Sequence, residues 1–188
     1  MDFISGFCAC SSDEKCEFVR KNCDPNRDEK MSVSTDSPGP VENHELIARF
    51  IYDPLHFSEN LLHYDPIFFD LTRRGLSVNR EVIASDIHGI GKSHANERTY
   101  VGYIRCRTSE IRQEHIDDGA RVFVVLDTAL PNNSAHADIF CLLEKKTKHL
   151  VRLILKNLFA GGLTKECVVI RPEQQQVVTP NALGSGQS

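Results

Sequence analysis

No stretch of this chain stays apolar for the roughly 18 residues that a membrane-spanning helix requires, so no membrane insertion is expected. The first residues, "MDFISGFCACSSDEKCEF", lack the basic n-region and the apolar h-region of a secretory signal. The expected compartment is therefore cytoplasmic. Paired C-x2-C spacing is missing too. Cys8, Cys10, Cys16 and Cys23 follow a C-x-C-x5-C-x6-C pattern with no histidine near them, so no metal site is expected there. The total of seven cysteines is odd, and Cys106, Cys141 and Cys167 lie inside apolar segments, where a thiol behaves as a small hydrophobe. The chain has no internal repeats. It also lacks G-x-S-x-G and H-E-x-x-H, which removes two common hydrolase signatures. "GIGKS" at 89–93 resembles the end of a P-loop, but Asp86 stands where the first glycine is needed, and no apolar strand leads into it.

What is present fits one domain of ordinary size. The 188 residues are 40% hydrophobic and 26% charged, enough for a single core. Charge is uneven: residues 1–44 hold nine acids and five bases, whereas 45–188 hold seventeen of each. All of the formal −4 thus belongs to the first segment. From Asp24 to Asn43 there is no apolar periodicity, only residues favoured in turns and flexible chain. Residues 1–44 are therefore expected to form a disordered acidic leader. Met31 opens an ordinary-looking start, which makes 1–30 a candidate extension of the gene model.

The globular domain is expected over 45–172, with a flexible polar tail at 173–188. Strands are expected at 45–52, 76–83, 98–107 and 120–127, with a last one at 166–172 stopped by Pro172. "ARVFVVLD" (120–127) holds a continuous apolar run, as a strand buried on both faces would. Thr108 is expected to cap a short helix, and "DIHGIGKSHANE" (86–97) reads as a loop. From about Ala135 to Phe159 a long helix is expected. Its apolar stripe would hold Ile139, Leu142, Leu143, Leu150, Leu153, Ile154 and Leu158, and Gly161 and Gly162 would end it. The resulting class is α+β: a single domain with a four- to five-stranded, mainly antiparallel or mixed sheet and one long C-terminal helix.

Three groups of residues invite a functional reading. Asp127 closes the strongest strand and His136 falls where the long helix would begin, with Asn133 or Ser134 as its cap. Asp127, Asn133 and His136 are thus expected to form a polar, candidate catalytic pocket at the carboxyl end of a strand, against the plainer alternative of a pinned helix corner. Arginine is the second signal: eight between Arg73 and Arg121, with one lysine, Lys92. Guanidinium forks grip phosphates and carboxylates in two-point fashion. Period-two alternation puts Val101, Tyr103, Arg105 and Arg107 on one strand face, which with Arg80 forms a candidate ligand surface. Seven acids in the same segment offer the competing outcome of internal pairing. The third group is a basic helix side, Lys145, Lys148, His149, Arg152 and Lys156.

Together these point to a small non-catalytic binding or accessory module. Its Arg-rich strand and basic helix would engage nucleic acid or an acidic protein partner, and no cofactor would be needed. The alternative is a small enzyme. If Arg49, Arg80, the Leu76-Ser77-Val78 strand and His136 lined one cleft, they would suit a phosphate-rich cofactor such as NAD, as in ADP-ribosyl transferases; the comparison is one of residue types alone. A hydrolase using His136 and Asp127 lacks an obvious nucleophile. Whether His56, His63, His88 and His94 meet is not legible in one dimension.

Overall fold

Alternating apolar residues in five segments pair into one antiparallel sheet, ordered β3-β1-β2-β5-β4. The strands are β1 (Leu46–Asp53), β2 (Leu76–Arg80), β3 (Thr99–Arg107), β4 (Phe123–Asp127) and β5 (His136–Cys141). The helices among the described residues are α1 (Phe3–Ala9), α2 (Lys15–Asn22), α3 (Pro25–Asp28), α4 (Ile87–Ser93), α5 (Thr108–Arg112) and α6 (Lys148–Leu158). The computed structural model describes residues 2–53, 55–56, 71, 74–117, 119–144 and 148–165. The class is α+β, in one domain. Among the described residues no helix is long and apolar enough to cross a membrane. The strand expected at 166–172, the tail at 173–188, and Lys145, His63 and Arg73 lie outside the described residues.

One sheet face carries the main core. Ile47 and Ile51 of β1, Ile104 of β3, Val78 of β2, Ile139 of β5 and Val125 of β4 are all fully buried there. Ile111 of α5 and Leu155 and Phe159 near the end of α6 seal that face. The opposite face is closed at both sides and polar in the middle. Over β4 and β5, Phe3, Phe7, Cys16 and Val19 of α1 and α2 pack on Val124, Leu126 and Phe140. Over β1 and β3, Ile87 and Ile90 of α4 and Ala95 pack near Ala48, Phe50, Tyr52 and Tyr103. Between these patches β2 and β5 present Ser77, Asn79, His136 and Asp138, at alternate positions along each strand.

This arrangement corrects several expectations. The first 44 residues do not form a separate disordered leader. They contain α1–α3 and supply buried Phe3, Phe7, Val19 and Val33 to the core, the candidate extension 1–30 included. The reason lies in β4, which is an edge strand in hydrogen-bonding order yet buried at all five positions. An edge strand apolar on both faces needs cover on both sides, and α1 and α2 provide the second cover.

No helix starts near Ala135 either. His136–Cys141 is β5, and period-two alternation of intermediate His136 and Asp138 with buried Ala137 and Ile139 is its signature. α6 is 11 residues long. It buries Val151 and Leu155, with Phe159 just past its end, and leaves Leu150 and Leu153 exposed, so its apolar stripe is rotated from the one expected.

Residues 87–93 are helical rather than a loop, with the Asp86 side chain accepting from the Gly89 amide at 2.8 Å. Thr108 lies inside α5 and its hydroxyl donates to the Glu45 carbonyl, so it is no cap. On β3 the register slips opposite Ile51 and Tyr52. This bulge sends Tyr100 to the side of Tyr103 and turns Val101 into the main core, against simple alternation.

Candidate functional site

The polar gap on the second sheet face is a cleft of about 330 Å3, within the size range of small-molecule pockets, roughly 300–1,000 Å3. Its walls come from β1 (Arg49, Phe50, Tyr52), β2 (Ser77, Asn79), β5 (His136), and the segments carrying His56, His94, Asn96, Arg98 and Asn133. Two guanidinium groups and three imidazoles thus share one cleft. Among the described residues no carboxylate lines it.

Arg49 enters the cleft because β1 and β2 part. Their ladder runs through Ile47–Arg80 and Ala48–Asn79, and next to it the Arg49 Nη1 group donates to the Ser77 carbonyl at 2.7 Å. Burial pushes the Arg49 guanidinium down to about 10, with the nearby Tyr52 and Asp138 working against that fall and Arg98 adding to it. It therefore stays charged at neutral pH in a place that penalises charge. Arg98 lies over the Tyr52 ring at 4.5 Å and donates to the carbonyls of Ala95 and His94, both at 3.1 Å. Tyr52 is itself held by its hydroxyl on the Gly91 carbonyl. Asn96 adopts a positive φ of 52°, a conformation that asparagine tolerates better than most residues.

His56 is neutral. Its Nδ1 accepts from the Tyr52 amide at 3.1 Å, which an imidazolium cannot do. Burial, with the charges of Arg49 and Arg98, pushes it down to about 3. The His136 ring is oriented from both ends. Its Nδ1 sits 3.0 Å from the Thr128 carbonyl and 3.0 Å from the Thr128 hydroxyl, and its Nε2 sits 2.6 Å from Ser77 Oγ. The Thr128 hydroxyl gives its own hydrogen to Asp138 at 2.8 Å. In the neutral ring Nδ1–H therefore donates to Thr128, Nε2 accepts, and Ser77 is the donor. Asn133 is 4% exposed and donates to Asn79 Oδ1 at 2.8 Å, while its own Oδ1 has no partner among the described residues.

The other candidates are placed elsewhere. Asp127 is 1% exposed and does not join His136: it accepts from the Ser37 hydroxyl and the Ala129 amide and stands 3.8 Å from Arg80. Arg80 is buried, not on the surface. It grips Glu45 at 2.8 and 2.7 Å and donates to the carbonyls of Gly39 and Pro40. A guanidinium with four protein acceptors has little left for a ligand. On β3, Tyr103 and Arg105 both bond Glu81, at 2.7 and 3.2 Å, and Arg107 bonds the His44 carbonyl. Arg112 and Arg121 share Glu29. Contacts within the protein therefore engage Arg80, Arg105, Arg107, Arg112 and Arg121.

Arg152 and Lys156 lie on α6, away from the cleft lining. Lys148 begins that helix. Of the histidines, His56, His94 and His136 meet at the cleft, while His88 bonds the Tyr100 hydroxyl instead. Phe50, Asn79, Arg98 and Thr128 were not singled out from the sequence. Asn79 and Ser77 do sit at alternate positions of β2, a polar face opposite Leu76 and Val78, which was the available signal. Set against known families, curated proteins and solved structures, the chain matches none.

Proposed function

We propose that the protein binds a small phosphate-bearing molecule of the nucleotide class in the cleft over β2 and β5, as a small enzyme would, rather than offering a basic surface to a polymer. One observation carries this reading: Arg49, Arg98, His56, His94 and His136 line a single cleft without a carboxylate among the described residues. Two guanidinium groups brought into one cleft, Arg49 at a cost in desolvation, are matched best by an anion. Phe50 and Tyr52 add apolar wall, as pockets for ligands with a ring usually do. NAD is one member of this ligand class. A long polyanion is a weaker fit, because Arg80, Arg105, Arg112 and Arg121 are already paired with the carboxylates of Glu45, Glu81 and Glu29. The reading is of a cytoplasmic protein, supported by six described cysteines that all remain thiols.

Calorimetric titration with ADP, NAD and inorganic phosphate tests it. Saturable binding of at least one is expected, weakened tenfold or more by Arg98→Met, a loss of about 1.4 kcal/mol. No binding by the folded wild-type protein, or binding unchanged in Arg98→Met, would overturn it.

A further inference from the structure

We infer that Ser77 is a nucleophile and His136 its general base, acting on phosphorus of the anion held in the cleft. This rests on the ligand class proposed above and deepens it. Nucleophilic hydroxyls are recognised by a base within hydrogen-bond reach that is itself oriented by a third group. All three parts are here. Ser77 Oγ is 2.6 Å from His136 Nε2, and the Thr128 carbonyl takes the Nδ1 hydrogen at 3.0 Å. With the Thr128 hydroxyl committed to Asp138 at 2.8 Å, the neutral ring carries its hydrogen on Nδ1 and accepts from Ser77 at Nε2. Thr128 and Asp138 are positioning residues: they hold the imidazole in the tautomer that accepts from Ser77.

The electrophile follows from what stands beside the nucleophile. Arg49 donates to the backbone carbonyl of Ser77 itself, so an anion drawn to that guanidinium arrives next to Oγ. Charge on the peripheral oxygens of a transferring phosphoryl group is what guanidiniums stabilise. In the step, Oγ bonds to phosphorus while its hydrogen passes to Nε2. The bond from phosphorus to the leaving oxygen breaks, and that oxygen takes the proton from Nε2. Water then attacks the phosphoserine and gives a proton to Nε2. The Oγ–phosphorus bond breaks and that proton returns to Oγ. Nothing is oxidised or reduced.

The pair was hidden in the sequence. Ser77 lies outside any nucleophile motif, and it meets His136 only because β2 and β5 pair in a register that sets Asn79 opposite His136 and Ser77 opposite Asp138.

The test is covalent trapping. The full chain is treated with diisopropyl fluorophosphate, which reacts with activated hydroxyls by attack at phosphorus, and the adduct is located by peptide mass spectrometry. A single adduct on Ser77 is expected, absent from Ser77→Ala and formed at least about 100-fold more slowly by His136→Gln, as loss of a general base requires. ADP at saturation should slow it. A folded wild-type protein with no adduct on Ser77 overturns the inference, as does an unchanged rate in His136→Gln. ADP binding without labelling removes the nucleophile and leaves the binding reading in place. Labelling without binding of ADP, NAD or phosphate overturns the substrate class.

Discussion

Arg80 and Glu45 form a two-point ion pair inside the protein, at 2.8 and 2.7 Å, with side chains 4% and 3% exposed. The pair ties the end of β2 to the residue before β1, and Arg80 also fixes the Gly39 and Pro40 carbonyls. Burial would raise the Glu45 carboxyl, but hydrogen bonds from Arg80 and from the Glu42 amide outweigh it and hold the group below its usual range. Removing one partner leaves a buried charge uncompensated, which costs about 3–5 kcal/mol. Glu45→Ala is accordingly expected near the lower end of that range, because Asp127 remains 3.8 Å from Arg80. Urea unfolding measures it, and a loss under about 1 kcal/mol would show that the pair does not hold these segments.

The N-terminal helices are part of the core. Phe7 is 2% exposed and meets Phe140 edge-on, with ring centroids 5.7 Å apart. Phe7→Ala is expected to cost about 3–5 kcal/mol. Deletion of residues 1–30 should expose Val124, Leu126 and Phe140 and lower the melting temperature further. A truncated chain as stable as the whole would mean that these helices only rest on the sheet.

Stability should fall as the solution is acidified from neutral. His56 is neutral in the folded protein down to about pH 3, whereas an unfolded histidine takes up its proton near 6.5. The unfolded state therefore binds more protons in this window, and folding free energy is lost as pH drops through 6.5. Below about 4.5 the lowered carboxyl of Glu45 adds a loss of the same sign. His56→Asn keeps an acceptor for the Tyr52 amide without the titration. Its unfolding free energy should change less than that of the wild type between pH 7.5 and 5.5. Equal slopes would contradict the buried, neutral assignment.

Gly102 offers a backbone test. It has φ of 150°, and a Cβ there would stand 2.4 Å from the Thr164 carbonyl oxygen. Next to it, Tyr103 and Thr164 exchange backbone hydrogen bonds at 3.0 and 2.8 Å. Gly102→Ala must push that contact apart and is expected to cost about 1–3 kcal/mol. Gly119 also has a positive φ, but among the described residues nothing lies within 4 Å of its Cβ position. Gly119→Ala should therefore cost less in the same thermal or urea unfolding assay, and the reverse order would place the strain elsewhere.

The sheet was largely legible, because β1, β3 and β4 carry their burial in their own residue patterns. What failed were inferences that need a partner. The apolar run Phe123–Asp127 signals cover on both faces but not that α1 and α2 supply it. The His136–Cys141 strand was mistaken for a helix start because Asn133 and Ser134 look like caps, although Leu130 and Asn133 exchange backbone bonds in a turn. The arginine bias was read correctly as a count and could not be read as a surface, since Glu29, Glu45 and Glu81 approach from distant positions. Of the pocket first drawn, Asn133 and His136 remain together. Asp127 went to the opposite network, because neighbours on a strand point to opposite faces and Asp127 pairs with Ala137, not with His136.

A crystal structure of the protein soaked with ADP tests the central claim most directly. The account predicts the diphosphate between the Arg49 and Arg98 guanidiniums, within hydrogen-bond distance of both and beside Ser77. A diphosphate seated instead against His149 and Lys156 of α6, with the cleft unoccupied, would contradict it.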